Sequence, residues 1–375
     1  LPLLSFGGML ALPITVLATV LSRQLCTDLV NGDLLRAKGF LRDALLMTLG
    51  LLIVGLGLTA LLLPWLCDLL RIPRSSAASL SVTYALLAAF VPLLTAALQA
   101  AQRFGTLAIS NLVAAPVRLG SMFLLLPLYG LTGYFLAQLS SLFATVFIAL
   151  IALAPLLRTE GRCPFGLWRP QLRAMAVYGL KVALGVTLLT IQGSLTTFIL
   201  RHRLADDATA AYYILTRFAE IATYCGSTLT LVLFPFAIQS HTQGQPSKVL
   251  RTRLFLITLL GGTLLAITLA CVLPWLFPLF PDYRPYASLA WLSGPFTLIT
   301  TLSVASGILM THAQAVNDFT YLRTLLPATL LNAALLLLIP LHSLLTIFPL
   351  LLFNALLTLL ACLPLRKTEA EKQTL

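Results

Sequence analysis

The sequence has little charge for its length. Only 10% of its 375 residues are Asp, Glu, Lys or Arg, whereas 59% are hydrophobic. Soluble proteins carry charge on about a quarter of their residues, so a water-soluble fold of this size could not cover such an apolar interior. The alternation over about ten residues that marks an outer-membrane barrel strand is missing as well. The long Leu- and Ala-rich runs therefore predict an all-α polytopic membrane protein.

Motifs for metal binding, disulfide bonding and hydrolytic chemistry are also missing. The six cysteines lack a CxxC spacing and a neighbouring histidine, and the four histidines are isolated. We therefore expect reduced, mostly buried thiols, no metal site and no cofactor. The only acidic pair expected outside, Asp206-Asp207, is better placed to cap the following helix. A membrane glycosyltransferase or polymerase would need a larger outer site, so we expect a transporter and not an enzyme.

The start of the chain lacks a basic leader and a small-residue cleavage site. The sequence begins with Leu1 and is apolar through its first 21 residues. A secretory signal peptide has both of the missing features. We therefore expect residues 1–21 to be an interior helix of a longer protein, with one further helix before Leu1.

Eleven apolar runs are long enough to cross a bilayer, which takes about 20 helical residues. They are residues 1–21, 44–66, 77–100, 106–128, 131–157, 174–200, 210–238, 254–277, 287–312, 322–341 and 344–365. Together with the missing helix, these spans predict a twelve-helix fold that lacks its first helix.

The distribution of basic residues predicts the orientation of the spans. Connections after the odd-numbered spans carry sixteen Lys and Arg residues when Arg323, at the start of the tenth span, is counted with the connection before it, and those after the even-numbered spans carry five. Because cytoplasmic connections are enriched in Lys and Arg, residues 366–375 are predicted to be a cytoplasmic tail and Leu1 to lie outside. The net charge of +12 is therefore explained by basic cytoplasmic connections that lie beside membrane lipids, and it does not indicate binding of nucleic acid. We expect the cytoplasmic (inner) membrane as the location.

Two features predict that the chain consists of two related halves. Leu63-Pro64-Trp65-Leu66 closes the second span and Leu273-Pro274-Trp275-Leu276 closes the eighth. An interval of six spans keeps the orientation, so the halves are predicted to be parallel repeats, an arrangement typical of transporters. The basic link at 158–173 then separates an N-terminal bundle, 1–157, from a C-terminal six-helix bundle, 174–365.

Glycine and proline mark the predicted bends. Residues 22–43 contain an Asn31-Gly32-Asp33 break between two stretches rich in leucine and arginine, which predicts two short interfacial helices. Pro13 and Pro235 lie in corresponding spans, where each frees a backbone carbonyl and permits a bend. We predict that these two prolines act as hinges of alternating access.

Four ionisable residues lie well away from the ends of predicted spans, where a charge costs about 2.5–3.5 kcal/mol on insertion scales. Arg118 lies near the midplane, about 18 Å along its span. Lys181 is close enough to the cytoplasmic surface to snorkel. Arg217 and Glu220 are three residues apart, so Glu220 could serve a structural pair or coupling. We predict that Arg118, Lys181 and Arg217 line a cationic, water-filled cleft that binds an anionic group in transit.

The order of several short segments resembles the multidrug/oligosaccharidyl-lipid/polysaccharide (MOP) exporter superfamily, and within it the O-antigen-type polysaccharide flippases. The segments are Leu12-Pro13 through Arg23 with Asn31-Gly32-Asp33, Gln102-Arg103-Phe104 with Asn111 and Arg118-Leu119-Gly120, Tyr129-Gly130-Leu131-Thr132-Gly133-Tyr134, and Ala210-Ala211-Tyr212-Tyr213 with Arg217 and Leu233-Phe234-Pro235. The resemblance covers essentially the whole chain except the family's first helix. It implies two six-helix bundles, and it implies that Lys181 and Arg217 are cleft positions.

The resemblance also implies a function. Flippases of this type move a polyprenyl-diphosphate-linked oligosaccharide from the inner to the outer leaflet by alternating access, for surface polysaccharide biosynthesis. We expect this activity, with H⁺ or Na⁺ as possible coupling ions. A drug/cation antiporter of the same superfamily is the alternative, although no Asp or Glu lies in predicted spans one to five. A peptidoglycan-precursor flippase, which typically has more basic residues in the first half, is a third possibility.

Overall fold

A computed structural model describes residues 2–69, 76–88, 90–158, 166, 172–203, 206–245, 247–339 and 343–363. Within these ranges the regular structure is helical throughout, which confirms the predicted all-α class. The helices are α1 (Pro2–Val30), α2 (Leu34–Leu69), α3 (Ser76–Ala88), α4 (Phe90–Ala100), α5 (Phe104–Leu157), α6 (Leu172–Arg203), α7 (Asp206–Thr242), α8 (Lys248–Leu276), α9 (Ser293–Ala315), α10 (Leu322–Leu338) and α11 (Leu344–Cys362). Short 3-10 segments at Phe277–Leu279 and Arg284–Leu292 connect α8 to α9.

Eight of the described helical stretches are long and apolar enough to cross a membrane. They confirm a polytopic membrane protein, while the count of eleven spans stays a prediction. One stretch, Phe104–Leu157, has 54 residues and contains two helices, because Gly130 interrupts it with φ 54° and ψ −132°. Glycine alone adopts this conformation without strain. The turn falls between the predicted spans 106–128 and 131–157.

The segment at 22–43 differs from its prediction. The break at Asn31-Gly32-Asp33 is confirmed, with Gly32 at φ 78° and the Asp33 carboxylate accepting a 3.0 Å hydrogen bond from the Arg36 backbone N–H at the start of α2. The two short interfacial helices are wrong, because α1 runs on to Val30 and α2 begins at Leu34. No glycine or proline lies between Ser22 and Val30, so nothing in the backbone ends the helix earlier.

The chain forms two compact units, Leu1–Ala183 and Leu184–Leu375, with their boundary inside α6. In the first unit α1 packs against α2, α3 and α4, and its fully buried side chains include Leu21, Leu25, Leu93, Leu94 and Leu98. In the second unit α9 is central and packs against α7, α8 and α11. The predicted bundle limits, 1–157 and 174–365, stay predictions, and the tail at 366–375 lies outside the described residues.

Glycines allow α9 to approach its neighbours closely. A Cβ atom added to Gly262 of α8 would clash with the side chain of Thr301 on α9, whose Cβ would lie only 2.8 Å away. A Cβ on Gly226 of α7 would likewise clash with Val304. Thr301 cannot easily move aside, because its hydroxyl donates a 2.8 Å hydrogen bond to the Thr297 carbonyl. Small residues of this kind set the distance between helices in membrane proteins.

Gly262→Ala is therefore expected to destabilise the second unit, and its neighbour Gly261 supplies a matched control. Overpacking costs about 1–3 kcal/mol, whereas Gly261 has no atom within 4 Å of an added Cβ. Gly261→Ala should stabilise α8 by about 0.5–1 kcal/mol through helix propensity. Thermal unfolding of the two purified variants measures the difference. An unchanged or raised Tm for Gly262→Ala would contradict the described packing.

Asp43 joins α2 to the predicted basic link. Its carboxylate is 1% exposed; Oδ1 accepts hydrogen bonds from Arg42 at 2.8 and 3.0 Å. The Oδ2 atom accepts a 2.8 Å hydrogen bond from the backbone N–H of Gly166, a residue held at φ 86°. Asp43 and Gly166 are 123 positions apart in the sequence, so this hydrogen bond anchors distant parts of the first unit to each other.

Asp43→Asn should release the Gly166 anchor and make the backbone of the link more susceptible to cleavage by trypsin. Breaking a buried ion pair costs about 3–5 kcal/mol, and cleavage follows the population of the open form, so the cleavage rate should rise at least about tenfold. Asp33→Asn is the control, because asparagine caps a helix as well as aspartate does. Equal rates of cleavage for wild type and Asp43→Asn would show that Gly166 is held in another way.

Candidate functional site

Arg118 is an exposed residue of α5 in the first unit. It lies close enough to Tyr84 of α3 for an electrostatic interaction, as does Tyr134, which follows the Gly130 turn. The Tyr134 hydroxyl in turn accepts a 3.0 Å hydrogen bond from the Gln138 amide. Two tyrosines therefore accompany this arginine: Tyr84, which the sequence interpretation did not mention, and Tyr134, which it noted only as part of a segment of the family resemblance.

Arg217 and Glu220 form the pair that their spacing predicts. The Arg217 Nη1 atom lies 2.9 Å from Glu220 Oε2 and 3.1 Å from Oε1. The side chains are 68% and 40% exposed. An exposed ion pair of this type contributes about 0.2–1 kcal/mol to stability, so stability alone gives little reason to keep two charges in an apolar helix.

Lys181 is exposed on α6. Arg118 and Lys181 belong to the first unit and Arg217 belongs to the second, so the cleft that they are predicted to share stays a prediction. Pro235 is buried inside α7, and the side chain of Pro13 lies outside the described residues. The hinge roles of both prolines also stay predictions.

A cluster of neutral polar side chains lies inside the second unit, between α6, α10 and α11. The Gln192 amide donates a 2.9 Å hydrogen bond to the Thr329 hydroxyl, and its oxygen accepts a 3.0 Å hydrogen bond from the Thr358 hydroxyl. All three residues are buried. The sequence interpretation missed them because it considered only charged residues inside the spans. In addition, Gln192 is 137 positions from Thr329 and 166 positions from Thr358, so no local pattern links them.

Asparagines occupy the next helical layer of the same cluster. Asn332 follows Thr329 by three residues, and Asn354 precedes Thr358 by four, so each asparagine lies about one turn from a member of the cluster on the same helix face. Asn332 is 1% exposed, yet neither its Nδ2 nor its Oδ1 atom has a hydrogen-bond partner among the described residues, and the same is true of Asn354 Oδ1. We call Gln192, Thr329, Asn332, Asn354 and Thr358 the amide cluster.

Unsatisfied buried amides need an explanation. Leaving such a group without a partner costs about 1–3 kcal/mol, and native proteins contain few of them. Inside a membrane protein, polar groups that face the interior of a bundle commonly mark an ion or substrate site. The amide cluster therefore offers oxygen atoms to a cation that would occupy this position.

A polar cavity of about 440 Å³ lies at the cytoplasmic ends of α1, α2 and α6 by the predicted topology. It is lined by Arg23, Gln24, Asp28, Asn31 and Arg36, with Tyr178 beside them. Arg23 lies over the Tyr178 ring, 4.4 Å from its centroid, in a cation–π contact. The correction at 22–43 explains why the sequence did not predict this cavity, since only the extended α1 carries Asp28 into it.

Asp28 is the buried charge of this cavity. The residue is 4% exposed; its Oδ1 atom accepts a 3.0 Å hydrogen bond from the Gln24 amide and lies 3.8 Å from Arg36 Nε. Its Oδ2 atom has no hydrogen-bond partner among the described residues. Burial raises the pKa of this carboxyl, although the nearby Arg36 partly opposes the shift.

Cysteine and metal chemistry find little support in the described part of the chain. Its cysteines outside disulfides include Cys26 and Cys362, which are buried, and Cys225 and Cys271, which are exposed, so the expected burial holds for only some of them. Among the described residues, no group of three or more His, Cys, Asp or Glu side chains could hold a metal ion. His312 is instead hydrogen-bonded to the Ser247 hydroxyl at 2.8 Å.

The fold is similar to solved structures of MATE transporters. An outward-facing conformation of a multidrug resistance MATE family transporter of the MOP superfamily matches with a TM-score of 0.74 at 13% identity, over 96% of this chain and 83% of that chain. The MATE transporter ClbM in complex with Rb⁺ matches with a TM-score of 0.72 at 18% identity, over 98% of this chain and 86% of that chain. A crystal structure of MATE in the straight conformation gives a TM-score of 0.70 at 14% identity, over 96% of this chain and 83% of that chain.

These similarities show the fold alone, because the identities are low. No family model matches the sequence, and no curated protein matches it. The fold agrees with the resemblance to the MOP superfamily, whereas the structural matches lend no support to the O-antigen-type subfamily.

Proposed function

We propose that the protein is a secondary active exporter that expels an amphiphilic, anionic cargo in exchange for a monovalent cation. The observation that carries the proposal is the amide cluster, in which both amide atoms of the buried Asn332 and the buried Oδ1 atom of the half-buried Asn354 have no hydrogen-bond partner among the described residues. Neutral oxygens can coordinate Na⁺ without the cost of an unpaired buried carboxylate. The MATE-like fold supports transport as the activity, and the Rb⁺ complex of one similar transporter supports a monovalent cation.

The charge of the cargo follows from the predicted cleft residues. Arg118 and Arg217 are exposed at positions inside apolar helices, and Lys181 is exposed on α6. A cation at span depth is retained where it faces water or an opposite charge. The three predicted cleft residues carry three positive charges against the one carboxylate of Glu220, which pairs with Arg217, so an anionic amphiphile fits these side chains better than a cationic drug does.

Transport by purified full-length protein in liposomes tests the exchange. An imposed Na⁺ gradient should drive the accumulation of an anionic amphiphilic fluorophore on the side of higher Na⁺, and reversing the gradient should reverse the movement. H⁺ and K⁺ gradients of equal size identify the coupling ion. Movement of the fluorophore that is the same with and without every cation gradient would exclude exchange.

Flipping of a lipid-linked oligosaccharide is the second candidate function. The same three cations favour it, because a diphosphate is also anionic. A fluorescent polyprenyl-diphosphate disaccharide, placed in the inner leaflet of the same liposomes, should stay there if the exporter proposal is right. Its appearance in the outer leaflet at a rate above that of protein-free liposomes would favour flipping instead.

A further inference from the structure

A second cavity adjoins the polar cavity in the first unit. It has a volume of about 270 Å³, and its lining is apolar, with Val16, Leu17, Phe40, Met47 and Gly179 among its residues. Val20 and Met175 line both cavities. The joined cavities therefore have a polar end and an apolar end between α1, α2 and α6, as expected of a binding site for an amphiphile.

The charges of the polar end are complementary to a zwitterion. Arg23 and Arg36 provide two guanidinium groups, which suit a phosphate. The Asp28 carboxylate lines the cavity, where it would repel a phosphate and attract an ammonium group, and Asn31 supplies a further amide. Its Oδ2 atom is shielded from solvent and has no hydrogen-bond partner among the described residues, so an ammonium on Asp28 would supply the partner that this atom lacks. An anionic headgroup would satisfy only the arginines, whereas a headgroup with both charges satisfies the arginines and Asp28.

We propose that these joined cavities bind a phosphatidylethanolamine-type phospholipid of the inner leaflet, with the phosphate on Arg23 and Arg36, the primary ammonium on Asp28, and an acyl chain in the apolar cavity. The positive-inside topology places the polar end at the cytoplasmic surface, where basic pockets between helices commonly bind lipid headgroups. The ammonium has three N–H donors, whereas choline has none, so hydrogen bonding discriminates against phosphatidylcholine. The positive charge of the ammonium discriminates against phosphatidylglycerol.

The test measures lipid retention by native mass spectrometry of the purified protein, after exchange into equimolar phosphatidylethanolamine, phosphatidylcholine and phosphatidylglycerol. Wild type should retain phosphatidylethanolamine about tenfold better than phosphatidylcholine. Asp28→Asn should lose this preference but keep phosphatidylglycerol, and Arg23→Gln with Arg36→Gln should lose all three lipids. Asp33→Asn and Lys38→Gln remove charges of the same region that do not line the cavity, and both should behave as wild type.

Gly179→Leu separates a lipid from a soluble phosphoethanolamine, because it fills the apolar cavity and leaves the charges in place. A Cβ there meets Val20 only at 3.4 Å, an ordinary contact, so the variant should fold and retain less lipid. Equal retention of phosphatidylcholine and phosphatidylethanolamine by wild type, or an unchanged preference in Asp28→Asn, would overturn the assignment. Unaltered retention in Gly179→Leu would overturn the placement of the acyl chain.

Discussion

Asn332→Leu should uncouple export from the cation gradient without weakening the fold. The asparagine is buried with both amide atoms unpartnered, so leucine removes an unsatisfied group worth about 1–3 kcal/mol and keeps a similar volume. Loss of a group that only supports a metal ligand already lowers affinity by about 10- to 100-fold, so loss of a coordinating oxygen should lower cation affinity at least as much. The expected result is therefore an equal or higher Tm together with loss of Na⁺-driven transport.

The paired measurement of Tm and transport distinguishes a site from a structural contact. If water or an undetected contact holds the Asn332 amide, leucine lowers the Tm. Asn332→Asp should retain cation dependence, because it keeps an oxygen and adds a negative charge. Asn111→Leu makes the same substitution at an exposed position of α5 and should leave transport unchanged. Full coupling in Asn332→Leu would remove the amide cluster from the mechanism.

The amide cluster also shows where sequence interpretation stops. Composition predicts the helical membrane class, because 59% hydrophobic residues leave no soluble alternative. A single glycine, Gly130, marks the turn in α5, because its combination of φ 54° and ψ −132° is unstrained only for glycine. Asn332 and Gln192, by contrast, are neutral residues in leucine-rich helices. Their significance depends on which helices pack together, and no local pattern encodes that.

Asp28 illustrates a different difficulty. A fixed span length of about 20 residues assigns it to a connection, but α1 has 29 residues and ends at Val30. The helix continues because helical hydrogen bonds and buried leucines such as Leu25 stabilise it beyond the apolar run. Arg217 and Glu220 were predictable, in contrast, because residues three apart on one helix are neighbours whatever the tertiary fold.

Arg217→Gln should abolish transport of an anionic cargo while hardly changing stability. The pair with Glu220 is exposed, so its loss should change the free energy of unfolding by less than about 1 kcal/mol. A buried charge pair between protein and ligand is worth more, and truncation of one partner commonly costs about 2–5 kcal/mol. Transport at low cargo concentration should therefore fall by at least about 30-fold, which corresponds to roughly 2 kcal/mol.

Exchanging the two charges decides between a cargo contact and a structural pair. The double variant Arg217→Glu with Glu220→Arg rebuilds an ion pair at the same i, i+3 spacing, although it reverses the order of the charges along α7. If the pair only stabilises α7, the exchange restores transport to within about twofold of wild type. If Arg217 binds the cargo, the exchange leaves transport as low as in Arg217→Gln, because the guanidinium then lies about one helical turn away. We expect the second result, and Glu220→Gln alone should then retain transport, since Arg217 stays in place.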